Sequence, residues 1–364
     1  MAFGLFKKKK SEPKTNQADR YFDLIIREVV TVGKDAVNLV FEKPANGFHY
    51  QSGQFLTIID KVKEKKIRRA YSLCSSPDWD DYPAVTVKRV EGGLMSNHIN
   101  DHYEVGQKVQ VMEPMGIFTT TYDAARQRHL VLIAGGSGIT PLYSILKTTL
   151  KKEPLSTIDL FYANRSEESI IFKDELAQLA DSYPNLKVHH ILEESSELAM
   201  QVGRPSAAWV QQTTTDYSID QSSEIFICGP QPMMDIFEEG LKQAGIEDSQ
   251  IHIESFEAGK TSPQSVNETV ATGEDSEVTI VLNGASFSIT MDRNRPILEQ
   301  ALEKDIDMPY SCQSGLCTAC RGKCTEGSVS VDQVMGLTEG ELQENYVLTC
   351  VGKPLSDHIK IEIG

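Results

Sequence analysis

Residues 310–327 read YSCQSGLCTACRGKCTEG and hold Cys312, Cys317, Cys320 and Cys324, four of the seven cysteines in a chain of 364 residues. Four residues separate Cys312 from Cys317 and two separate Cys317 from Cys320, which is the C-x4-C-x2-C run of a plant-type [2Fe-2S] loop. A fourth ligand must come from outside that run. Cys324 follows within CRGKC, and Cys350 lies farther on in NYVLTC. The plant-type pattern takes a distant cysteine, which favours Cys350 and leaves Cys324 as a buried thiol on the strand leaving the loop. A bacterial [4Fe-4S] run needs C-x2-C ahead and proline behind, where this chain has C-x4-C and Thr325. Zinc held by four cysteines typically uses two C-x2-C knuckles, and only one is present; zinc or disulfides stand as the alternatives.

The flanks describe a small carrier unit. EVTIVLNGASFSIT alternates Val278, Ile280 and Leu282, turns at Asn283-Gly284 and resumes with Phe287 and Ile289, a hairpin pattern. In DRNRPILEQALEKD, Pro296 suits a first helical turn, and Ile297, Leu298, Ala301 and Leu302 recur at helical spacing. With a closing strand through HIKIEI, the order resembles the β-grasp fold of plant-type ferredoxins. Acidic residues outnumber basic ones from Glu277 onward, which suits either a basic partner or an ordinary solvated surface.

Length and 40% hydrophobic content allow two or three domains, and a net charge of -16 argues against general nucleic-acid binding. No apolar run reaches the roughly 18 residues of a spanning helix, and MAFGLFKKKK has no apolar segment after its charges to act as a secretory signal. A cytoplasmic location is expected, in keeping with cysteines gathered rather than spread as pairs. Phe3, Leu5 and Phe6 ahead of Lys7 would give only marginal membrane contact, so residues 1–19 are read as a solvated tail. AGKTSPQSVNETVATGEDSE has no apolar period and reads as a flexible linker over 258–276, ahead of a ferredoxin-like domain at 277–364.

The middle of the chain, HLVLIAGGSGITPLYSILKTTLKK, is a short apolar strand, a turn of Gly135, Gly136 and Gly138, and a helix opening near Pro141. Such a turn presents free backbone N–H groups and the positive end of a helix dipole to an anion, although glycines there often serve close packing alone. IDLFYANRS, LKVHHIL, SEIFICGP and IHIESF read as further strands, with helices IIFKDELAQLA and PMMDIFEEGLKQAG between them, so a parallel α/β sheet is expected over 125–257. Ahead of it, FDLIIREVV, AVNLVFEKP, GQFLTIID, AVTVKRV and QKVQVMEP suggest an antiparallel β-barrel over 20–124. IRRAYSLCSSP, between the third and fourth of these, reads on its own as a strand end and a turn. Gly92-Gly93 precedes an expected helix.

RAYS at Arg69 to Ser72, GGLMSNHI, GGSGITP, ICGPQPMM, Glu254-Ser255-Phe256 and the cysteine loop, in that order, resemble the ferredoxin-NADP reductase superfamily fused to a plant-type ferredoxin. The likeness covers residues 20 to 364 and is greatest to reductases of the phenylacetyl-CoA epoxidase and 3-ketosteroid hydroxylase kind. It implies that Arg69 contacts the FAD diphosphate, that Tyr71 packs on the isoalloxazine and that Ser72 lies near its N5. Backbone at Lys88, Gly93, Met95 and Ser96 completes that site. Gly135, Gly136, Ser137, Gly138 and Thr140 receive the nicotinamide nucleotide's phosphates, and Cys228, Gly229 and Pro230 border the nicotinamide. Glu254 and Phe256 match residues the superfamily sets beside the flavin; Phe stands where many members have Tyr, and the chain continues past it. Ser72, Cys228 and Glu254 are the implied catalytic group.

In YANRS, Arg165 and Ser166 favour NADPH, with NADH as the alternative because Glu167 and Glu168 follow. A nicotinamide yields two electrons as hydride, a [2Fe-2S] cluster takes one, and a flavin handles both. The reading is an NAD(P)H reductase with FAD and [2Fe-2S] that passes single electrons to an oxygenase, epoxidase, hydroxylase or desaturase. The alternatives are a reductase of a hybrid-cluster protein or soluble carrier, and a non-catalytic electron-transfer or metal-binding subunit.

Overall fold

The computed structural model describes residues 21–44, 48–256, 275–282, 284–331 and 334–363. The expected tail, nearly all of the expected linker and Asn283 of the hairpin turn lie outside them.

The first unit comprises β1 (Tyr21–Thr31), β2 (Ala36–Phe41), β3 (Phe55–Val62), β4 (Lys65–Ser72), β5 (Ala84–Lys88), α1 (Leu94–His102) and β6 (Lys108–Met115). The strands pair antiparallel in the order β4-β3-β6-β1-β2-β5. The sheet curls until its edge strands meet at one bridge, Leu73 to Val85, beside a bond from Cys74 N to Ala84 O at 2.9 Å. Inward residues such as Leu24, Phe41, Leu56, Ile58 and Val85 fill the curl, and α1 caps it with Met95 and Ile99. Where the sequence suggests a strand end and a turn, β4 runs for eight residues against β3. Its inward Ile67 gives one apolar signal among Lys65, Lys66, Arg68 and Arg69, which conceals the period of two. In β3, by contrast, Phe55, Leu56, Thr57, Ile58 and Ile59 are buried without alternation. Such a run has both faces covered.

The second unit comprises β7 (His129–Gly135), α2 (Ile139–Lys152), β8 (Thr157–Asn164), α3 (Lys173–Ser182), β9 (Leu186–Leu192), β10 (Ala199–Val202), α4 (Ala207–Asp216), β11 (Ser223–Cys228), α5 (Gln231–Gln243) and β12 (Ile251–Glu254). The six strands are parallel in the order β10-β9-β8-β7-β11-β12, so the direction of winding reverses between β7 and β11. Ligands bind at such a reversal, beyond the carboxyl ends of the strands. α3 starts later than its apolar pattern suggests because Phe172 is left-handed, at φ 60°, with its ring stacked on Tyr143. His189 bonds Asp159 at 2.6 Å and stacks on Phe161, so the histidine pair on β9 is structural.

The third unit comprises β13 (Ser276–Leu282), β14 (Ala285–Met291), α6 (Ile297–Glu303), β15 (Arg321–Glu326), α7 (Glu339–Gln343), β16 (Tyr346–Leu348) and β17 (His358–Ile363), in the sheet order β14-β13-β17-β15-β16. Val278, Ile280, Ile297 and Ala301 are fully buried in its core, and Gly284 takes φ 82° in the hairpin turn. No helix among the described residues is long and apolar enough to cross a membrane.

An ion cluster in the second unit holds the segment that enters it from β6. Arg128 bonds Glu153 at 2.8 Å and pairs with Glu224, which also accepts from Thr120 at 3.2 Å and faces His252 at 3.4 Å. Burial opposes ionisation of Glu224, but the His252 hydrogen bond and the Arg128 charge outweigh it and hold the carboxyl down at about 2. An acid lowered in the folded state stabilises above its ordinary value of 4.5 and ceases to do so as the pH falls toward about 2. Glu224→Gln is therefore expected to lower the melting temperature at neutral pH, with the gap to the native chain closing between those two values. Melting curves across that range check it.

Candidate functional site

The register aligns Ala134 of β7, Cys228 of β11 and Glu254 of β12 in one row across the carboxyl ends of the parallel strands. The next residues of each strand, Gly135-Gly136, Gly229-Pro230 and Ser255-Phe256, therefore emerge side by side. Packing there is close to the limit. A Cβ on Gly138 would sit 2.0 Å from the Cys228 carbonyl oxygen, and one on Gly135 would sit 2.6 Å from Pro230. Gly136 takes φ 51°, which glycine adopts without strain. Thr140 Oγ1 donates to Ser137 O at 3.0 Å, tightening the turn into α2.

Lys88 reaches this turn from the flavin-type sheet, its Nζ 3.5 Å from where a Gly136 Cβ would lie. Its pKa is lowered by burial and then by the charge of Arg165. Two cations held together at a glycine turn suit a diphosphate. Arg165 lines a cavity of about 250 Å³ with Gly135, Gly136, Pro230, Met233, Glu193 and Arg204. Asn164 lines it too, its buried amide lacking a hydrogen bond among the described residues beyond a pull on the Tyr162 hydroxyl. Ser166 does not join Arg165 there. It caps the short turn after β8 and borders a larger open cleft of about 1000 Å³. That cleft is walled by six carboxylates, Glu167, Glu168, Asp174, Glu175, Glu194 and Glu197, and by Lys34 and Lys173, which pair with Glu168 and Glu167, so the excess charge is negative and disfavours an anionic nucleotide. Glu193, Arg204 and Asn164 escaped the sequence reading; Asn164 stands inside the quoted YANRS, whereas Arg204 follows an unrecognised strand.

A second cavity, of about 200 Å³, is shared by all three units. The first contributes Phe55, Arg69, Ala70 and Ser72, the second Glu254, Ser255 and Phe256, and the third Ser311 to Ser314 with Leu316. Tyr71 faces the opposite side of β4, against the curled core, and burial raises its phenol pKa. Ser72 Oγ donates to Glu254 Oε2 at 3.4 Å. Burial pushes the Glu254 carboxyl up to about 8, so it carries its proton at neutral pH. Cys228 is fully buried in the sheet core, and burial, then Glu254, keeps its thiol protonated. Gly93 caps α1, Met95 is in the core and Ser96 Oγ accepts from Val90 N at 3.2 Å, so what α1 offers a ligand is backbone N–H. Phe256 is half exposed at the rim.

The cysteines of the third unit fall into pairs. Cys312 and Cys317 are close enough to perturb each other's titration, as are Cys320 and Cys350, and Cys317 and Cys320 interact through charge; all four thiols are free. Thr349 closes the gap in sequence, its N and Oγ1 donating to Cys320 O at 3.2 and 3.1 Å. Cys312 Sγ accepts from the Ser314 backbone N at 3.5 Å. Cys324 stands apart on β15, donating to Glu326 O at 3.3 Å. Among the described residues, no three His, Cys, Asp or Glu converge on a point as a single-ion site requires. Two adjoining thiol pairs fit a two-iron group better than one zinc.

Family models match in the same order: an oxidoreductase FAD-binding domain over 23–120, an oxidoreductase NAD-binding domain over 132–239 and a 2Fe-2S iron-sulfur cluster binding domain over 280–355. The chain is 35% identical over 349 residues to the 3-ketosteroid-9-alpha-monooxygenase ferredoxin reductase component of Rhodococcus rhodochrous, covering 93% of this chain and 96% of that one. It is 33% identical over 350 residues to a component protein of the 1,2-phenylacetyl-CoA epoxidase of Escherichia coli K12, covering 94% and 97%. Among solved structures, phthalate dioxygenase reductase superposes with a TM-score of 0.59 at 25% identity, covering 95% of this chain and 99% of that one.

Gly138→Ala is expected to destabilise the second unit by about 3 kcal/mol, because a carbonyl fixed in a strand cannot yield. Gly136→Ala meets a flexible Lys88 end instead, and costs only the strain of its positive φ, about 1 kcal/mol. Denaturant titration of both variants checks the order.

Proposed function

The chain belongs to the family of ferredoxin reductase components that join FAD-binding, NAD-binding and 2Fe-2S units, and from that premise we propose that it carries electrons from NADPH to an oxygenase-type partner protein. The observation that carries this reading is the cavity where Ser72, Glu254 and the Cys312 loop meet. FAD supplies the exchange between hydride and single electrons, and a [2Fe-2S] group the one-electron outlet.

Within the reading, the chain's own residues bind, orient and exclude water. The α1 N-terminus and Arg69 would hold the flavin diphosphate, and Ser72 and Phe256 would bound its ring from the cavity, with Tyr71 packing on the core side of β4. Lys88 and the Gly135–Thr140 turn hold the nucleotide diphosphate, which fixes the nicotinamide end between Gly229-Pro230 and Ser72. Glu254 keeps a proton on its carboxyl beside Ser72 Oγ, so the residue would place no buried negative charge beside a bound flavin. Cys228 acts by packing and through its carbonyl, since its protonated thiol is sealed in the core. Cys312, Cys317, Cys320 and Cys350 would hold the iron-sulfur group. The partner class follows the names of the relatives, which are monooxygenase and epoxidase components.

Anaerobic visible spectra test the reading. Flavin and iron-sulfur bands that both bleach on adding NADPH support it; absent flavin, or flavin that NADPH leaves oxidised, contradicts it. Cys350→Ser is expected to lose the cluster absorbance and most of the iron, while Cys324→Ser keeps both. Arg165 and Arg204 stand where a ribose 2′-phosphate would bring charge. Replacing both by alanine is expected to raise KM for NADPH about tenfold or more and change that for NADH less than about threefold. Steady-state assays with each nucleotide read the difference.

A further inference from the structure

The outward face of β3, β4 and β6 is where the third unit sits. Residues two apart on β4 share a face, so Lys66, Arg68, Ala70 and Ser72 project together, opposite the core residue Ile67. The cavity takes Ala70 and Ser72, at one end of this row. At the other end Arg68 Nη1 donates to Asp307 Oδ1 at 2.6 Å and Lys66 Nζ to Asp307 Oδ2 at 2.9 Å. Between them the Thr57 and Ser311 hydroxyls bond, and Phe55, Ile59 and Met112 pack on Cys317 and Ala319. Arg68 also lies 5.2 Å from the centroid of the Tyr310 ring.

We propose that Asp307 is the positioning residue that seats the cysteine loop against the flavin-side cavity. The two ion pairs do not weigh equally. Lys66 and Asp307 are about half exposed, and a pair of that kind contributes little. Arg68 has only 4% of its side chain exposed, and its Nε makes no hydrogen bond, so its charge relies on Asp307. Removing the carboxylate would leave a buried guanidinium unpaired at the seam and favour separation of the two surfaces. Asp307 precedes Cys312 by five residues, with Tyr310 and Ser311 already fixed to the same sheet. The clamp thus sets the loop's height above the cavity without touching a reacting group. Each NADPH oxidised releases two electrons and one proton; the electrons cross this seam one at a time, and no covalent bond forms there.

The inference rests on the reductase reading, and full-length holoprotein tests the two separately. Anaerobic rapid mixing with NADPH resolves bleaching of the flavin band from bleaching of the cluster band, and small-angle scattering of the resting protein reports its maximum dimension. Asp307→Ala is expected to slow the cluster phase by about tenfold or more, because transfer between fixed groups is steep in geometry, with the flavin phase within about twofold. Iron content should stay native and the maximum dimension should rise; Asp307→Glu should restore most of the cluster rate. A cluster phase in Asp307→Ala within twofold of the native one overturns the proposal. So does a fall of both phases together with loss of iron, which marks a folding defect. Failure of the reductase reading shows itself differently, as a native chain whose flavin NADPH does not bleach.

Discussion

A strand buried on both faces is the constraint around which this molecule is arranged. β3 directs Leu56 and Ile58 into the curled sheet and Phe55, Thr57 and Ile59 outward, and neither set meets solvent. A curled sheet with a lone apolar outer face would be an interaction surface by default. Here the cysteine loop covers it, so the burial that stabilises the sheet also brings the thiol pairs to the cavity of Ser72 and Glu254. Stability and the placement of the thiol pairs draw on the same contact.

Charge is sorted along the strand ends with comparable economy. The cations Lys88 and Arg165 collect on the Gly136 side of the row formed by Ala134, Cys228 and Glu254, with Arg204 beside them paired to Glu193 at 2.8 Å. On the other side Arg69 lines the cavity with Ser72, while burial raises the pKa of both Glu254 and Cys228. Cations gathered on one side of the row attract an anion there.

Much of this was legible in the chain because the relevant signals are short in range. Cysteine spacing, glycine turns and apolar strands are set by geometry within a few residues, and the order of the three units followed from them. What escaped depends on distant partners. β4 was unreadable as a strand because its outward Lys66 and Arg68 exist to meet Asp307, far along the chain, and a position serving a partner breaks the local period. α4 was missed because AAWVQQTTTD carries three threonines, whose branched side chains weaken a helical signal that packing against α5 restores. Ser166 drew attention as a neighbour of Arg165, but its side chain serves the local cap. Asp307 itself had no signature apart from the surface it touches.

The central claim is that the cysteine loop receives electrons within one chain, at the seam on β3 and β4. The rate of cluster bleaching after anaerobic mixing with NADPH, measured over a wide range of protein concentration, addresses it most directly. A docked loop predicts a first-order rate that does not change with concentration. A rate rising in proportion to concentration would mean that the cluster is reduced by another molecule, and would contradict the account.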